Sequence, residues 1–361
     1  MKEYRGDLLF RKLRAWVGDM PDGAPFPSVR QLMREYGVSQ FTVAPAVRKL
    51  RTLGLVESYV GRGSFVSRSN RAARPRALLL TNDWPSFAIR ATADFLRIEA
   101  GRHNFDFRME YYTYDDDVFR LLDDYRTDAV IIDALPNDFL RADQIQALTA
   151  ASVPIVICRS AVRVKGIRYV TGNNAAAGIL AANALYQAGH RKIGVLFSEP
   201  HIFSTEELVG SFTLCASSNH CEVTVFDCET RIGQDSVVAA SAYLKANHGT
   251  MFRDVTALFV VSSASASGAY RTLRELGIPV PERVSILGLG AILPEDAATI
   301  STIAPCDGLI AKTVFDILRD HFDRKPVNAI QQELAPEYRR RGTIREMNPA
   351  LDTQTITLEE K

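Results

Sequence analysis

No stretch of the 361-residue chain stays apolar for the ~18 positions a membrane helix needs, which excludes a spanning segment of that kind. The opening residues, Met1-Lys2-Glu3-Tyr4-Arg5-Gly6-Asp7, carry acids where a secretory leader would carry an apolar core. Cysteine is scarce and odd in number: Cys158, Cys215, Cys221, Cys228 and Cys306, mostly inside apolar runs. That argues against a disulfide framework and for reduced, buried thiols in a cytoplasmic protein. Cys215, His220, Cys221 and Cys228 lack the spacing of a tetrahedral site, so no metal is expected. Catalytic signals are missing as well. The serines of 262–267 form no Gly-x-Ser-x-Gly elbow. Gly61-Arg62-Gly63-Ser64 has neither the buried strand before it nor the Gly-Lys-Ser/Thr helix start after it that a phosphate loop requires. Neither an enzyme nor a cofactor is expected, and nothing in the chain is low-complexity.

What is present is an uneven charge. The first 76 residues hold 15 Lys and Arg against 6 Asp and Glu, while the remainder holds 28 against 36. A basic small unit on an acidic large one points to a polyanion partner for the first.

The patterning divides at the same place. Leu9, Leu13, Trp16 and Val17 recur at helical spacing, and Met20-Pro21-Asp22-Gly23 ends that helix with turn residues. Ser28 is placed to cap a second helix with Val29, Leu32, Met33 and Tyr36 inward, and Gly37 supplies the left-handed residue that closes it. Ser39 caps a third, with Val43, Ala46, Val47, Leu50 and Leu53 on one face and Gly54 as the stop. Two short strands, 55–59 and 64–66, flank a hairpin tip at Val60-Gly61-Arg62-Gly63. Residues 67–76 are basic and broken by proline, and read as a linker. From 77 to 346 apolar runs alternate with amphipathic helices: 77–81, 128–133, 153–158, 192–197, 222–226, 256–261 and 284–289. That alternation predicts parallel sheets covered by helices, arranged as two successive similar lobes, 77–158 and 192–289, with 173–189 as the helix opening the second. Residues 347–361 read as an irregular tail.

Residues 1–66 therefore have the grammar of a helix-turn-helix domain, with a short helix, a tight turn and a second helix whose start faces the major groove. Pro27-Ser28-Val29-Arg30-Gln31-Leu32, Gly37-Val38-Ser39, Thr42-Val43 and Gly61-Arg62-Gly63-Ser64-Phe65-Val66 closely resemble the winged helix of the GntR family. The resemblance implies that double-stranded DNA is contacted by Arg30, by Ser39, Gln40, Thr42 and Arg48 of the recognition helix, and by a wing tip at Gly61 and Arg62. Gln40 and Ala44 stand where the family often has arginine, so its base contacts do not transfer. Pro45, about six residues into the recognition helix, predicts a kink or a delayed helix start.

The larger unit resembles the sensor domain of LacI-type regulators, which is similar in fold to periplasmic sugar-binding proteins. The resemblance rests on Asn173-Asn174-Ala175-Ala176-Ala177-Gly178, Ala188-Gly189-His190-Arg191-Lys192-Ile193-Gly194, 276–288 and Arg341-Gly342-Thr343. Combined with the GntR-type winged helix, it looks like the arabinose-repressor subgroup. In that fold a small molecule sits between the lobes at strand ends. By position the candidates are Asp83, Trp84, Phe87, Asp133 and Arg159 in one lobe, and Phe203, Glu207 and Ser263 in the other. Trp84 suits either a ring against a sugar face or a core position. Several charged partners of sugar hydroxyls are replaced: Glu207 stands at an arginine position, Ser263 at an aspartate, and Gly290-Ala291 at an acidic pair. The effector is then a sugar, a related metabolite of different chemistry, or absent. The resulting expectation is a homodimeric regulator, a repressor by default, whose operator affinity follows its effector. The alternatives are a constitutive DNA-binding protein whose larger unit only dimerises, and an exported solute-binding protein, against which the missing leader argues.

Overall fold

A computed structural model describes residues 5–347 apart from 22, 53–54, 60–62, 68–73, 85, 114–115, 120–126, 136–139, 291–295, 297, 305, 324 and 326–330. The expected Leu53 and Gly54 helix end, the wing tip and the tail lie outside the described residues, as does most of the linker. The chain divides into two compact units, Met1–Arg76 and Ala77–Lys361.

In the smaller unit α1 (Arg5–Asp19), α2 (Val29–Tyr36) and α3 (Gln40–Thr52) pack around a core of Leu9, Leu13, Val17, Leu32, Val43, Ala46, Val47 and Leu50. The turn between α2 and α3 is built by its ends. Gln31 N–H donates to the Ser28 hydroxyl at 3.3 Å, and Ser28 N–H donates to Gln31 Oε1 at 2.8 Å, a reciprocal capping box. Gly37 then adopts φ 61°, which lets the chain reverse without a Cβ clash. Proline 45 does not delay α3, which starts at Gln40 with Val43 N–H bonded to the Ser39 carbonyl and continues through Pro45 to Thr52. The wing has one strand more than the sequence pattern gave. β1 (Pro25–Phe26) joins β2 (Val56–Tyr59) and β3 (Gly63–Val66) in an antiparallel sheet ordered β1-β3-β2. A two-residue strand carries no periodicity of its own.

The larger unit holds two six-stranded sheets. The first is ordered β14 (Gln331–Leu334), β8 (Tyr169–Gly172), β7 (Ile155–Cys158), β6 (Ala129–Asp133), β4 (Arg76–Asn82) and β5 (Asp106–Tyr112). The second is ordered β10 (Glu222–Asp227), β9 (Lys192–Phe197), β11 (Ala257–Val260), β12 (Ser285–Leu289), β13 (Ser301–Ala304) and β15 (Glu337–Arg339). The pairs β14·β8, β8·β7, β7·β6 and β6·β4 are parallel, as are β10·β9, β9·β11, β11·β12 and β12·β13; β15 runs antiparallel to β13. All seven apolar runs are strands; six are central strands buried along nearly their whole length, which leaves no polar side to alternate, and 222–226 is the partly exposed edge strand β10.

The lobes are not successive, which corrects the sequence expectation. The chain leaves the first lobe after β8, enters the second through α6 (Asn174–Gln187), and returns after β13 with α10 (Asp307–Phe322) and β14 before ending on β15. The first lobe's core accordingly mixes Leu79, Leu96 and Ile131 with Ile310, Val314, Phe315 and Leu334. Asn173 caps α6, its Oδ1 accepting from Ala176 N–H at 2.7 Å. Thr343 accepts from Ser301 N–H at 2.9 Å and donates to the Ile286 carbonyl at 2.7 Å, so the Arg341-Gly342-Thr343 motif closes the second sheet.

His190, fully buried, sits with Nδ1 2.9 Å from the Thr256 hydroxyl. Burial first, then the nearby Arg345 cation, pulls its pKa down to about 4. The unfolded chain takes up this proton near pH 6.5 and the fold refuses it until about pH 4. Stability should therefore fall by about 1.4 kcal/mol per pH unit through that window, fully present above it. Urea unfolding at pH 7 and pH 5 checks this, and His190→Gln should flatten that part of the pH dependence.

Candidate DNA-reading face and effector cleft

On the smaller unit, α3 carries its core stripe inward and leaves Gln40, Phe41, Pro45 and Arg48 exposed, with Ser39 exposed just before it and Thr42 half-buried. The Ser39 and Thr42 hydroxyls lie 3.3 Å apart, so the two groups order each other at the start of α3. Arg30 is exposed on α2. Gly61 and Arg62 fall outside the described residues. Arg51 donates to the Ser64 hydroxyl at 3.3 Å, and Ser64 lies 2.7 Å from the Ser58 hydroxyl. The recognition helix is thus tied to the wing sheet. Sequence reasoning passed over Phe41, although its spacing from the buried Val43 and Leu50 puts it on the outward side.

Within the larger unit, two adjoining chambers of about 250 and 350 Å3 lie between the lobes. They share Ser86, Arg159, Glu199, Ser204, Thr205, Ser262 and Ser263. The architecture dictates this place, since strand ends and helix starts from both lobes converge there. Arg159 follows β7, Glu199 follows β9, Ser262 and Ser263 open α9 (Ser263–Glu275), and Asp307 opens α10. Asp235 caps α8 (Ser236–Met251), accepting from Val237 and Val238 N–H at 2.8 and 3.2 Å.

Of the residues expected here, Trp84, Phe87, Arg159 and Ser263 line the chambers. Asp133 does not. It is fully buried behind Arg159, 3.4 Å from its Nε, and also accepts from the Thr81 hydroxyl at 3.1 Å. Asp133 is a counter-ion beneath the cleft floor. Asp83 is exposed and lines neither chamber. Glu207 and Phe203 are taken by Arg163 of the opposite lobe, whose guanidinium meets Glu207 at 3.0 Å, lies 5.8 Å from the Phe203 ring centre and meets Glu333 at 2.8 Å. Phe203 and Glu207 therefore line neither chamber, and Glu207 serves as an ion-pair partner between the lobes. Trp84 also bridges the lobes, donating from Nε1 to the Gln234 carbonyl at 3.1 Å. At the position of the family's acidic pair, Gly290 has φ 101°, and a Cβ there would stand 3.1 Å from the Ser263 Cβ.

Three carboxyls in and under the cleft titrate upward. Burial raises Asp133 and Asp307, in each case against the lowering pull of Arg159, and burial raises Glu199 against hydrogen bonds from Ser262 and Ser236. Glu199 and Asp307 were missed in the sequence. Glu199 could have been found by the strand-end rule that found Arg159, whereas Asp307 reaches the cleft by the late return of the chain. Among the described residues no group of His, Cys, Asp or Glu could hold a metal, and all five cysteines are free. No helix among the described residues is long and apolar enough to cross a membrane.

Two family models match. Residues 9–66 match bacterial regulatory proteins of the gntR family, and residues 182–344 match a periplasmic binding protein-like domain. The chain is a DNA-binding transcriptional regulator of the LacI/GntR type, pairing a GntR helix-turn-helix domain with a periplasmic binding protein-like domain. Over nearly its full length it is similar to the HTH-type transcriptional repressor PurR of Vibrio atlanticus, 22% identical over 353 residues, covering 89% of this chain and 99% of that protein. A shorter match has higher identity: 39% over 69 residues, 18% of this chain and 57% of that protein, to an HTH-type transcriptional regulator of Mycobacterium tuberculosis. Among solved structures, the Escherichia coli transcriptional repressor ascG aligns with a TM-score of 0.64 at 17% identity, over 75% of this chain and 99% of that one. These relatives are named as transcriptional regulators or repressors.

Proposed function

We propose that the chain is a repressor that binds its operator as a homodimer and changes its affinity when a small polar molecule, a sugar or a related metabolite, occupies the cleft. Arg30, Ser39, Gln40, Thr42 and Arg48, with Gly61 and Arg62 of the wing, contact DNA. Trp84, Phe87, Arg159, Glu199 and Ser263 contact the effector. The observation that carries this reading is the cleft itself, with a guanidinium, carboxyls and serine hydroxyls from both lobes facing one space. A ligand touching both lobes stabilises one lobe arrangement, and the winged helices of a dimer are respaced accordingly.

Thermal unfolding of the purified chain against sugars, sugar acids and amine metabolites tests the effector. Binding confined to the folded state at ~100 times the dissociation constant adds about 2.7 kcal/mol and raises the transition by several degrees. A hit must then shift operator affinity, and Arg30→Ala must weaken operator binding by about 1–3 kcal/mol without lowering the melting temperature. The second reading, a constitutive DNA-binding protein, is supported by the bridges Arg163–Glu207 and Trp84–Gln234, with which the protein's own side chains join the lobes. It requires that no compound in the library alter melting or DNA affinity.

A further inference from the structure

The first turns of the recognition helix carry an apolar strip on the outward side. Phe41, Ala44 and Pro45 fall at i, i+3 and i+4, with Phe41 and Pro45 exposed and Ala44 half-buried, opposite the buried Val43, Ala46, Val47 and Leu50; the exposed Arg48 follows at i+7. Phe41 is 92% exposed, the most exposed large apolar side chain among the described residues. A single exposed phenylalanine is ordinary on a protein surface. Its position makes it informative, because it occupies the first turn of the helix that a helix-turn-helix domain inserts into the major groove, with Arg48 two turns on for the phosphates. Pro45 adds a rigid ring beside it and cannot donate to the Phe41 carbonyl four residues back.

Major-groove edges of guanine, cytosine and adenine present donors and acceptors, and thymine alone presents a methyl group. An apolar side chain pressed on the polar edges would desolvate them without a partner, whereas against the methyl it removes apolar surface from water on both sides. We propose that α3 reads thymine 5-methyl groups through Phe41, with Ala44 and Pro45 extending the contact, so that each operator half-site carries thymine where the first two turns of the helix face it. The inference rests on the major-groove docking proposed above and adds the base class to it. Gln40 and Arg48 flank the stripe as the polar reader and the backbone contact.

The test begins with duplexes enriched from a random DNA pool by the full-length chain. Within the best duplex each thymine is replaced in turn by deoxyuridine, which removes the methyl and nothing else. Loss of one buried methyl should weaken binding about three- to five-fold at the half-site thymines. Phe41→Ala should lose at least as much on the thymine duplex, show no further loss with deoxyuridine, and keep its affinity for unrelated DNA, since phosphate contacts are untouched. The exposed position makes unfolding no concern, and Phe41→Leu should retain the deoxyuridine sensitivity. Equal affinity for thymine and deoxyuridine duplexes, or sensitivity that persists in Phe41→Ala, overturns the assignment while leaving major-groove docking intact. A pool that yields no preferred sequence overturns both.

Discussion

Arg159→Met is expected to destabilise the larger domain by about 3–5 kcal/mol at neutral pH, the usual cost of stranding a buried charge. The arginine side chain is about four-fifths covered, and Asp133 behind it has no exposure at all. Burial already lifts the Asp133 pKa, and the strongest opposing pull is the Arg159 cation. Without the cation, Asp133 would hold its proton to higher pH in the fold than in the unfolded chain. A carboxyl raised in this way contributes stability below its unfolded pKa and loses it as pH rises through the folded value. The deficit of the variant should therefore be larger at pH 8 than at pH 5. Asp307 also faces Arg159 and adds to it in the same sense. Adding Asp133→Asn to Arg159→Met should recover much of the loss at pH 8. A double variant as unstable as the single one would show that the guanidinium acts through packing rather than through Asp133.

Gly178→Ala should cost about 3 kcal/mol, at the upper end of overpacking effects, and lower the melting temperature by roughly 6–12 °C. Gly178 lies in α6 where α7 (Phe203–Ser218) crosses it, and a Cβ would stand 2.2 Å from the Leu208 carbonyl oxygen and 2.8 Å from the Phe212 amide nitrogen. Backbone atoms of a packed helix cannot step aside as a side-chain tip can. The two helices must separate, and Phe212 would lose its stacking on Phe259, whose ring centre is 4.8 Å away. Calorimetry should show one transition moved. Gly210→Ala, on the neighbouring helix with nothing within 4 Å of its Cβ, is the control and should be neutral or slightly stabilising.

These two sites mark where the sequence could be read and where it could not. Gly178 was legible as part of a family motif, but the reason for it, a helix crossing, is visible only in three dimensions. Six central strands and the edge strand β10 announced themselves as apolar runs, whereas the short central strands β8 and β13 did not. The remaining edge strands were also missed: β5, with the sequence DFRMEYY, is largely exposed, and β14 and β15 are short and polar, so neither period nor hydropathy separates them from loops. In the cleft, Arg159 and Ser263 followed from strand-end positions in the fold that the resemblance implied. Glu207 and Phe203 were placed by resemblance, and their partner Arg163 lies 44 residues from Glu207 in the chain, a pairing no local pattern encodes. Pro45 suggested a disrupted helix, yet tertiary packing of Val43, Ala46, Val47 and Leu50 holds α3 continuous.

The late return of α10 and β14 to the first lobe sets an order on the ribosome. The winged helix has all its strands and helices within the first 66 residues and can collapse as soon as they emerge. The first lobe cannot, because Ile310, Val314, Phe315 and Leu334 of its core are synthesised after the whole second lobe's parallel sheet. During elongation its apolar sheet face stays uncovered for well over a hundred residues, roughly ten seconds at typical synthesis rates. The helix-turn-helix unit of each nascent chain is thus complete long before the first lobe of the larger unit can close its core.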